Sequence, residues 1–242
     1  MNYTRNIGGI QVWRRGKTGL FALRGKGINL SDIRAAISFW KKEGCERAFG
    51  PVCAGAADVG GGICVWRSNE EPELLPGGGE GSEQALLAAG FTPAGEEYAF
   101  RFTLPTLPDR PGMKVTPGVS PRSCARVMGA PMSLAALSLL SLWPHIRRRY
   151  CFTAWRDGPK GIPICLSRGK RIRILTLWAA PDSRNGAACL PLLHALVSAA
   201  KKHGVDTIDA ARIPADNPHS LRLARALGGR PVARYRTYSL TL

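Results

Sequence analysis

Between a strand-like run, Arg171–Ala179, and the most regular apolar-periodic segment of the chain, Leu190–His203, stands P-D-S-R-N-G-A-A, Pro181 to Ala188. Small residues let a backbone come close to a ligand, and a helix N-terminus offers unpaired N–H donors to an anion. The segment can therefore cradle a phosphate, or it can be a plain strand-to-helix turn. Other combinations carry less chemistry. Seven cysteines (45, 53, 64, 124, 151, 165 and 189) are odd in number, widely spaced and free of any C-x-x-C pair, which argues against a zinc ribbon or a disulfide framework and for small buried hydrophobes. His145, His194, His203 and His219 lack metal-ligand spacing, and no local motif supports a Cys–His nucleophile. The glycine clusters Gly60–Gly62 and Gly77–Gly79 have no following G-K-[ST], so they read as connections.

The segments that must position the Pro181–Ala188 turn are legible on both sides. In the helix over Leu190–His203, Leu192, Leu193, Leu196, Val197 and Ala200 share a face and Gly204 ends it. Strands over Tyr150–Trp155, Gly161–Ser167 and Arg171–Ala179, separated by Asp157-Gly158 and Arg168-Gly169-Lys170, predict an antiparallel meander. Met113–Val119 reads as a strand and Ser120–Val127 as a helix behind Pro121. Thr207–Ile213 and Val232–Leu240 read as strands flanking a helix over Pro218–Leu227, capped by Asn217 and stopped by Gly228 and Gly229. Upstream, residues 8–24 predict hairpin strands, Ser31 caps a helix over Asp32–Glu43, and Arg47–Cys53 is strand-like. A short helix over Glu83–Ala89 and a strand over Tyr98–Leu104 precede P-T-L-P-D-R-P-G, Pro105 to Gly112, which reads as a linker. The apolar stretch Pro131–Trp143, followed by Pro144 and Arg147–Arg149, is shorter than the roughly 20 residues that cross a bilayer. It reads as a core helix with a cationic C-terminal end, or as an interfacial anchor.

The chain has 242 residues, 45% of them hydrophobic, enough for a sizeable core. Its net charge of +17 is unevenly placed: residues 1–110 carry 13 basic and 12 acidic side chains, residues 111–242 carry 21 and 5. Such a surplus points to anionic partners. Free thiols and an N-terminus without an apolar h-region predict a cytoplasmic protein with no secretory signal and no transmembrane segment.

The succession from Met113 onward (strand, two helices, three antiparallel strands, helix, strand, helix, strand) resembles the GNAT superfamily of acetyl-CoA-dependent N-acetyltransferases. The ending D-N-P-H-S-L-R-L-A-R-A-L-G-G-R-P-V-A-R-Y-R-T-Y, Asp216 to Tyr238, is similar to that of a group of tandem GNAT-like bacterial proteins. Lys41–Val52 and Leu86–Phe91 look like parts of that group's first repeat. The resemblance implies an α/β (α+β) fold with a mixed, mostly antiparallel sheet flanked by helices. It implies a partial GNAT-like half over residues 1–104, the linker 105–112 and a GNAT-like acyltransferase domain over 113–242. It also implies acetyl-CoA or another acyl-CoA as cosubstrate, an amine-bearing acceptor and no metal. The cofactor site would comprise Leu177, Trp178, Ala179, Ser183, Arg184, Asn185, Gly186, Ala187, Ala188 and Asn217. Arg184 can open the superfamily's R/Q-x-x-G-x-G/A loop, but its glycine position falls on Ala187 and the second small residue on Cys189, while Gly186 fits with a shift of one.

Catalysis is less legible. The strand before the loop, Ile172–Ala179, carries no acid, and the superfamily's frequent acid tyrosine falls on Ala224. Asp209, Tyr235 and Tyr238 are the candidate substitutes. A second class stays open: a non-catalytic basic module on the same fold, contacting nucleic acid or an acidic protein through Arg147–Arg149, the Lys170, Arg171 and Arg173 group and Arg230, Arg234 and Arg236. A catalytically dead scaffold is the third.

Overall fold

A computed structural model describes residues 4–23, 27–52, 63–68, 81–107, 112–129, 131–132, 148–183 and 187–242. The expected helix over Ser133–Trp143, both glycine clusters, Cys53 and Arg184–Gly186 lie outside the described residues. By compactness the chain forms two units, one of Met1–Tyr98, Pro214–Pro218 and Val232–Leu242, the other of Ala99–Ile213 and His219–Pro231.

The first unit begins with an antiparallel meander of β1 (Arg5–Ile7), β2 (Ile10–Arg15) and β3 (Thr18–Leu23). Helix α1 (Leu30–Lys42) then crosses over to β4 (Arg47–Gly50), which pairs parallel with β3 from Thr18↔Arg47 to Leu20↔Phe49. The cap of α1 is Asn29, not the expected Ser31: Asn29 Oδ1 accepts from the Asp32 N–H at 2.9 Å, and Ser31 donates its hydroxyl to the same oxygen. Ile33, Ala36 and Trp40, spaced three and four apart, bury one face of the helix. Trp40 meets Phe21 with ring centroids 5.9 Å apart, and Phe21 meets Phe91 edge-on at 5.8 Å. Strand β5 (Ile63–Arg67) and helix α2 (Ser82–Ala88) follow. Strand β6 (Thr92–Thr103) starts six residues before the expected Tyr98, because Pro93, Gly95, Glu96 and Glu97 are not strand-like in composition. Gly95 is required by contact: a Cβ there would stand 2.8 Å from Thr237 Oγ1.

In the second unit, β7 (Lys114–Pro117) leads to α3 (Pro121–Met128), whose N-terminus is closed by a reciprocal box between Ser120 and Ser123. Strands β8 (Phe152–Trp155), β9 (Pro159–Arg168) and β10 (Arg171–Ala179) form the expected antiparallel meander, with β7 added antiparallel to β8. Helix α4 (Cys189–Lys202) packs Leu192, Leu196, Val197 and Ala200 against Ile172, Ile174, Cys165 and Ile208. It crosses over to β11 (Thr207–Pro214), parallel to β10, and α5 (Pro218–Ala226) follows. From Val232, the last strand β12 (Arg230–Thr241) returns to the first unit and pairs antiparallel with β4 and β5.

One succession thus occurs twice, with β5 inserted after the parallel strand in its first occurrence: a hairpin, a crossover helix, a parallel strand, a helix and a twelve-residue strand. The sheet is mixed and mostly antiparallel with helices flanking it, as expected. Among the described residues no helix is long and apolar enough to cross a membrane.

Candidate functional site

Strand β10 pairs with β9 along its whole length, from Arg171↔Arg168 to Ala179↔Gly161, with one irregularity between Ile174 and Thr176. Its parallel pairing with β11 is much shorter, running from Arg171↔Thr207 to Ile174↔Ala210. Both strands continue past that point, to Ala179 and Pro214, so their ends are unzipped. Arg212 on β11 has φ 62°, which breaks its extended path just beyond the last pair. Leu177, Trp178 and Ala179 lie half-buried on the unzipped part of β10.

The chain leaves β10 through a 3-10 turn, Pro181–Ser183. The Ala180 N–H donates to Lys160 O at 2.8 Å, Lys160 pairs with Asp182, and the Ser183 N–H donates to Ala180 O at 2.8 Å. The lysine beside it holds the Asp182 carboxyl below its ordinary range. The chain then reaches Ala187, exposed, and Ala188, buried. Ala188 is the N-cap of α4 and offers no side-chain cap; the first turn holds no acid, and Pro191 has no N–H. The positive end of the α4 dipole therefore meets no acidic side chain of its own first turn, which suits an external anion. Gly161 permits this seating: a Cβ there would stand 2.9 Å from Leu192 Cδ1 and 3.0 Å from Ala188 Cβ. The other crossover helix is built oppositely. The end of α1 is capped by Asn29 and carries Asp32, whose carboxylate accepts from the Gly9 N–H at 3.2 Å. Of the two, only α4 suits an anion.

The catalytic candidates lie in the interior. Asp209 is 1% exposed and accepts two bonds from Arg101, Nε to Oδ1 at 2.7 Å and Nη2 to Oδ2 at 3.0 Å, with Arg173 Nη2 at 3.6 Å. Tyr235 is 1% exposed. Tyr238 is fully buried and donates to Glu83 Oε1 at 2.5 Å; burial and that carboxylate push its phenol well up. Arg236 ties Glu83, at 3.3 Å, to Glu96, at 2.9 Å, and Tyr98 donates to Glu96 at 2.5 Å. The Tyr98 bond and the arginines hold Glu96 below its ordinary range. Asn217 donates its N–H to Pro214 O at 3.0 Å in the turn before α5, and Ala224 is buried on that helix.

These ion pairs escaped the sequence reading, although each left a trace: a lone charge inside an apolar alternation, in A-F-R-F for Arg101, I-R-I-L for Arg173 and T-I-D-A for Asp209. Cys45, Cys124, Cys151 and Cys165 are buried, and Cys64 and Cys189 half-buried, all as free thiols. Burial raises Cys189 even at the first position of a helix, lifts Cys151 to about 11 and Cys124 to about 12, and raises Cys165 further. None of these four is a thiolate nucleophile at neutral pH. Within the first unit, a cleft of about 520 Å³ is bounded by Phe49, Pro51, Val52, Glu97 and Asp216 among others. Its carboxylates give it the sign opposite to the α4 N-terminus, so it does not suit the same ligand.

No protein-family model and no curated protein matches the sequence. Solved structures do match. A GCN5-related N-acetyltransferase from Sphaerobacter thermophilus aligns over 96% of this chain and 76% of its own, at 12% identity and a TM-score of 0.59. A tandem GNAT protein from the clavulanic acid biosynthesis pathway aligns over 96% and 78%, at 12% identity and 0.56. A GCN5-related N-acetyltransferase from Kribbella flavida aligns over 98% and 89%, at 13% identity and 0.51. The unzipped parallel pair, the helix end beside it and these alignments lead to one structural conclusion: the chain has the GNAT fold.

Proposed function

We propose that the chain is an acyl-CoA-dependent N-acyltransferase with its cofactor site in the second unit. The observation that carries this reading is the parting of β10 from β11 next to an uncapped helix N-terminus. Beyond Ile174 the edge of β10 that faced β11 has lost its strand partner, and the amide-bearing pantetheine arm of CoA can replace one, along Leu177, Trp178 and Ala179. The pyrophosphate would rest at Ser183, Arg184, Asn185, Gly186, Ala187 and Ala188, against the N–H groups that open α4.

The transfer needs little from side chains. The neutral amine nitrogen of the acceptor attacks the thioester carbonyl, the C–N bond forms, the C–S bond breaks, and the amine proton leaves through solvent to the thiolate. Backbone N–H groups of the unzipped β10 would hold the tetrahedral oxyanion. Asp209 and Tyr238 are committed to Arg101 and Glu83, so the step as proposed runs without them. The rate should then rise with pH as the acceptor amine loses its proton. The test is release of free thiol from acetyl-CoA by the purified full chain across a panel of primary amines. Amine-dependent release supports the reading. Acetyl-CoA binding without release from any amine would leave a cofactor-binding scaffold, and absence of both would remove the function and leave the fold alone.

A further inference from the structure

Far more positive charge sits in the second half of the chain than a cofactor with a pyrophosphate and one further phosphate can use, and part of it is organised around an exposed aromatic ring. Trp155, last residue of β8, is 38% exposed although large apolar side chains are usually buried. Its indole is held in place: Nε1 donates to Thr116 Oγ1 on β7 at 2.8 Å. Beside it is a cleft of about 270 Å³ bounded by Trp155, Pro159 and the α3 face carrying Ser120, Ser123, Arg122 and Arg126. Arg122 and Arg126 are four apart on α3 and so project from one side of it. Both are exposed, and the Arg126 guanidinium lies within 4 Å of the position a Cβ on Gly158 would take, against the β8–β9 turn. Lys114 is the direct register partner of Trp155 on β7, and Arg156 follows it in the chain. Among the described residues none of these four cations pairs with a carboxylate. Asp157 is the acid on the adjoining turn, and Asp182 is already taken by Lys160.

We propose that this surface binds single-stranded nucleic acid: one unpaired base stacks on the Trp155 indole, and Arg122 and Arg126 take the phosphates next to it. The cleft is smaller than the roughly 300–1,000 Å³ of ordinary cofactor pockets, so it has room for a flat ring rather than a whole cofactor. A duplex keeps its bases stacked on each other and cannot offer one to the indole, whereas a single strand can. Two further cations, Lys114 across the β7–β8 pair and Arg156 next in the chain, add positive charge near the ring. Its lining residues are not those assigned to the cofactor, and it stands whether or not the acyltransfer reading does.

The experiment is fluorescence anisotropy of a short dye-labelled single-stranded RNA with the full chain, over a range of salt concentrations. Trp155→Ala should weaken binding about fivefold or more with the salt slope unchanged, since stacking carries no charge. Trp155→Phe, which keeps a stacking face, should retain most of the affinity and guards against a folding defect. Arg122→Gln with Arg126→Gln should flatten the slope by about 0.7 for each phosphate that is no longer neutralised, about 1.4 for the two arginines together. The proposal is overturned by an unchanged affinity in Trp155→Ala, by an unchanged slope in the double arginine variant, by a nucleoside monophosphate that binds as tightly as the strand, or by acetyl-CoA displacing the strand.

Discussion

Replacing Asp209 by Asn separates a structural keystone from a catalytic base. The carboxylate stands between two arginines in the interior of the second unit; its distances to them are 2.7 and 3.0 Å for Arg101 and 3.6 Å for Arg173, with all three side chains no more than 3% exposed. Asn keeps the shape and one acceptor oxygen but removes the charge, so two guanidiniums are left facing a neutral amide. Removing one partner of a buried ion pair costs about 3–5 kcal/mol, and the retained oxygen places this variant near the lower end, about 3 kcal/mol. That is a large share of the roughly 5–15 kcal/mol of a typical domain. Urea unfolding followed by far-ultraviolet circular dichroism reads it as a lower midpoint at an unchanged slope. The triple change Asp209→Leu with Arg101→Met and Arg173→Met should recover part of the loss, because neutral apolar replacements strand neither guanidinium. Arg173↔Asp209 is the register pair just before Ile174↔Ala210, where β10 and β11 part, so acetyl-CoA affinity should fall together with stability. If Asp209→Asn changed stability by less than about 1 kcal/mol while abolishing turnover, the keystone role would be refuted and Asp209 would be a reacting group.

Gly161→Ala should force α4 off β9, since its new methyl meets Leu192 Cδ1 at 2.9 Å and Ala188 Cβ at 3.0 Å; calorimetry should show acetyl-CoA affinity reduced about tenfold or more. Glu96, held below its ordinary range in the folded chain, stabilises the protein above the unfolded carboxyl's pKa of about 4.3 and loses that contribution as pH falls through the lower folded value. The Tm of the native chain should accordingly drop more steeply on acidification through that window than the Tm of Glu96→Gln; parallel curves would contradict the assignment. Tyr238→Phe removes the bond to Glu83 and should cost about 1–2 kcal/mol in urea unfolding. An ultraviolet titration of the folded native chain should show Tyr98 and Tyr238 both resisting ionisation beyond the ordinary tyrosine range, and Tyr238→Phe should remove one of the two resistant phenols.

What the sequence revealed and what it hid follow from the range of the interactions. The meander β8–β10 was legible because Asp157-Gly158 and Arg168-Gly169-Lys170 are local turn signals, and α4 because its apolar face repeats within four residues. The first half of β6 was hidden by Pro93, Gly95 and two glutamates, which strand contacts elsewhere in the first unit override: the Ala215 N–H donates to Glu96 O at 2.8 Å, and Arg236 binds its carboxylate. The cap of α1 shifted by two residues because Asn29 and Ser31 both have capping chemistry and only backbone geometry chooses between them. The place where β10 and β11 separate is set by where register ends, which no residue pattern announces. The aspartate and tyrosine that looked available for proton transfer, Asp209 and Tyr238, are engaged with Arg101, Arg173 and Glu83, partners distant in sequence and invisible to local spacing.

Isothermal titration of the full chain with acetyl-CoA probes the cofactor site proposed at the opening of β10 beside the α4 N-terminus. Saturable binding of one equivalent in the micromolar range, weakened by Gly161→Ala, is expected; no heat of binding up to millimolar acetyl-CoA would overturn the proposed site.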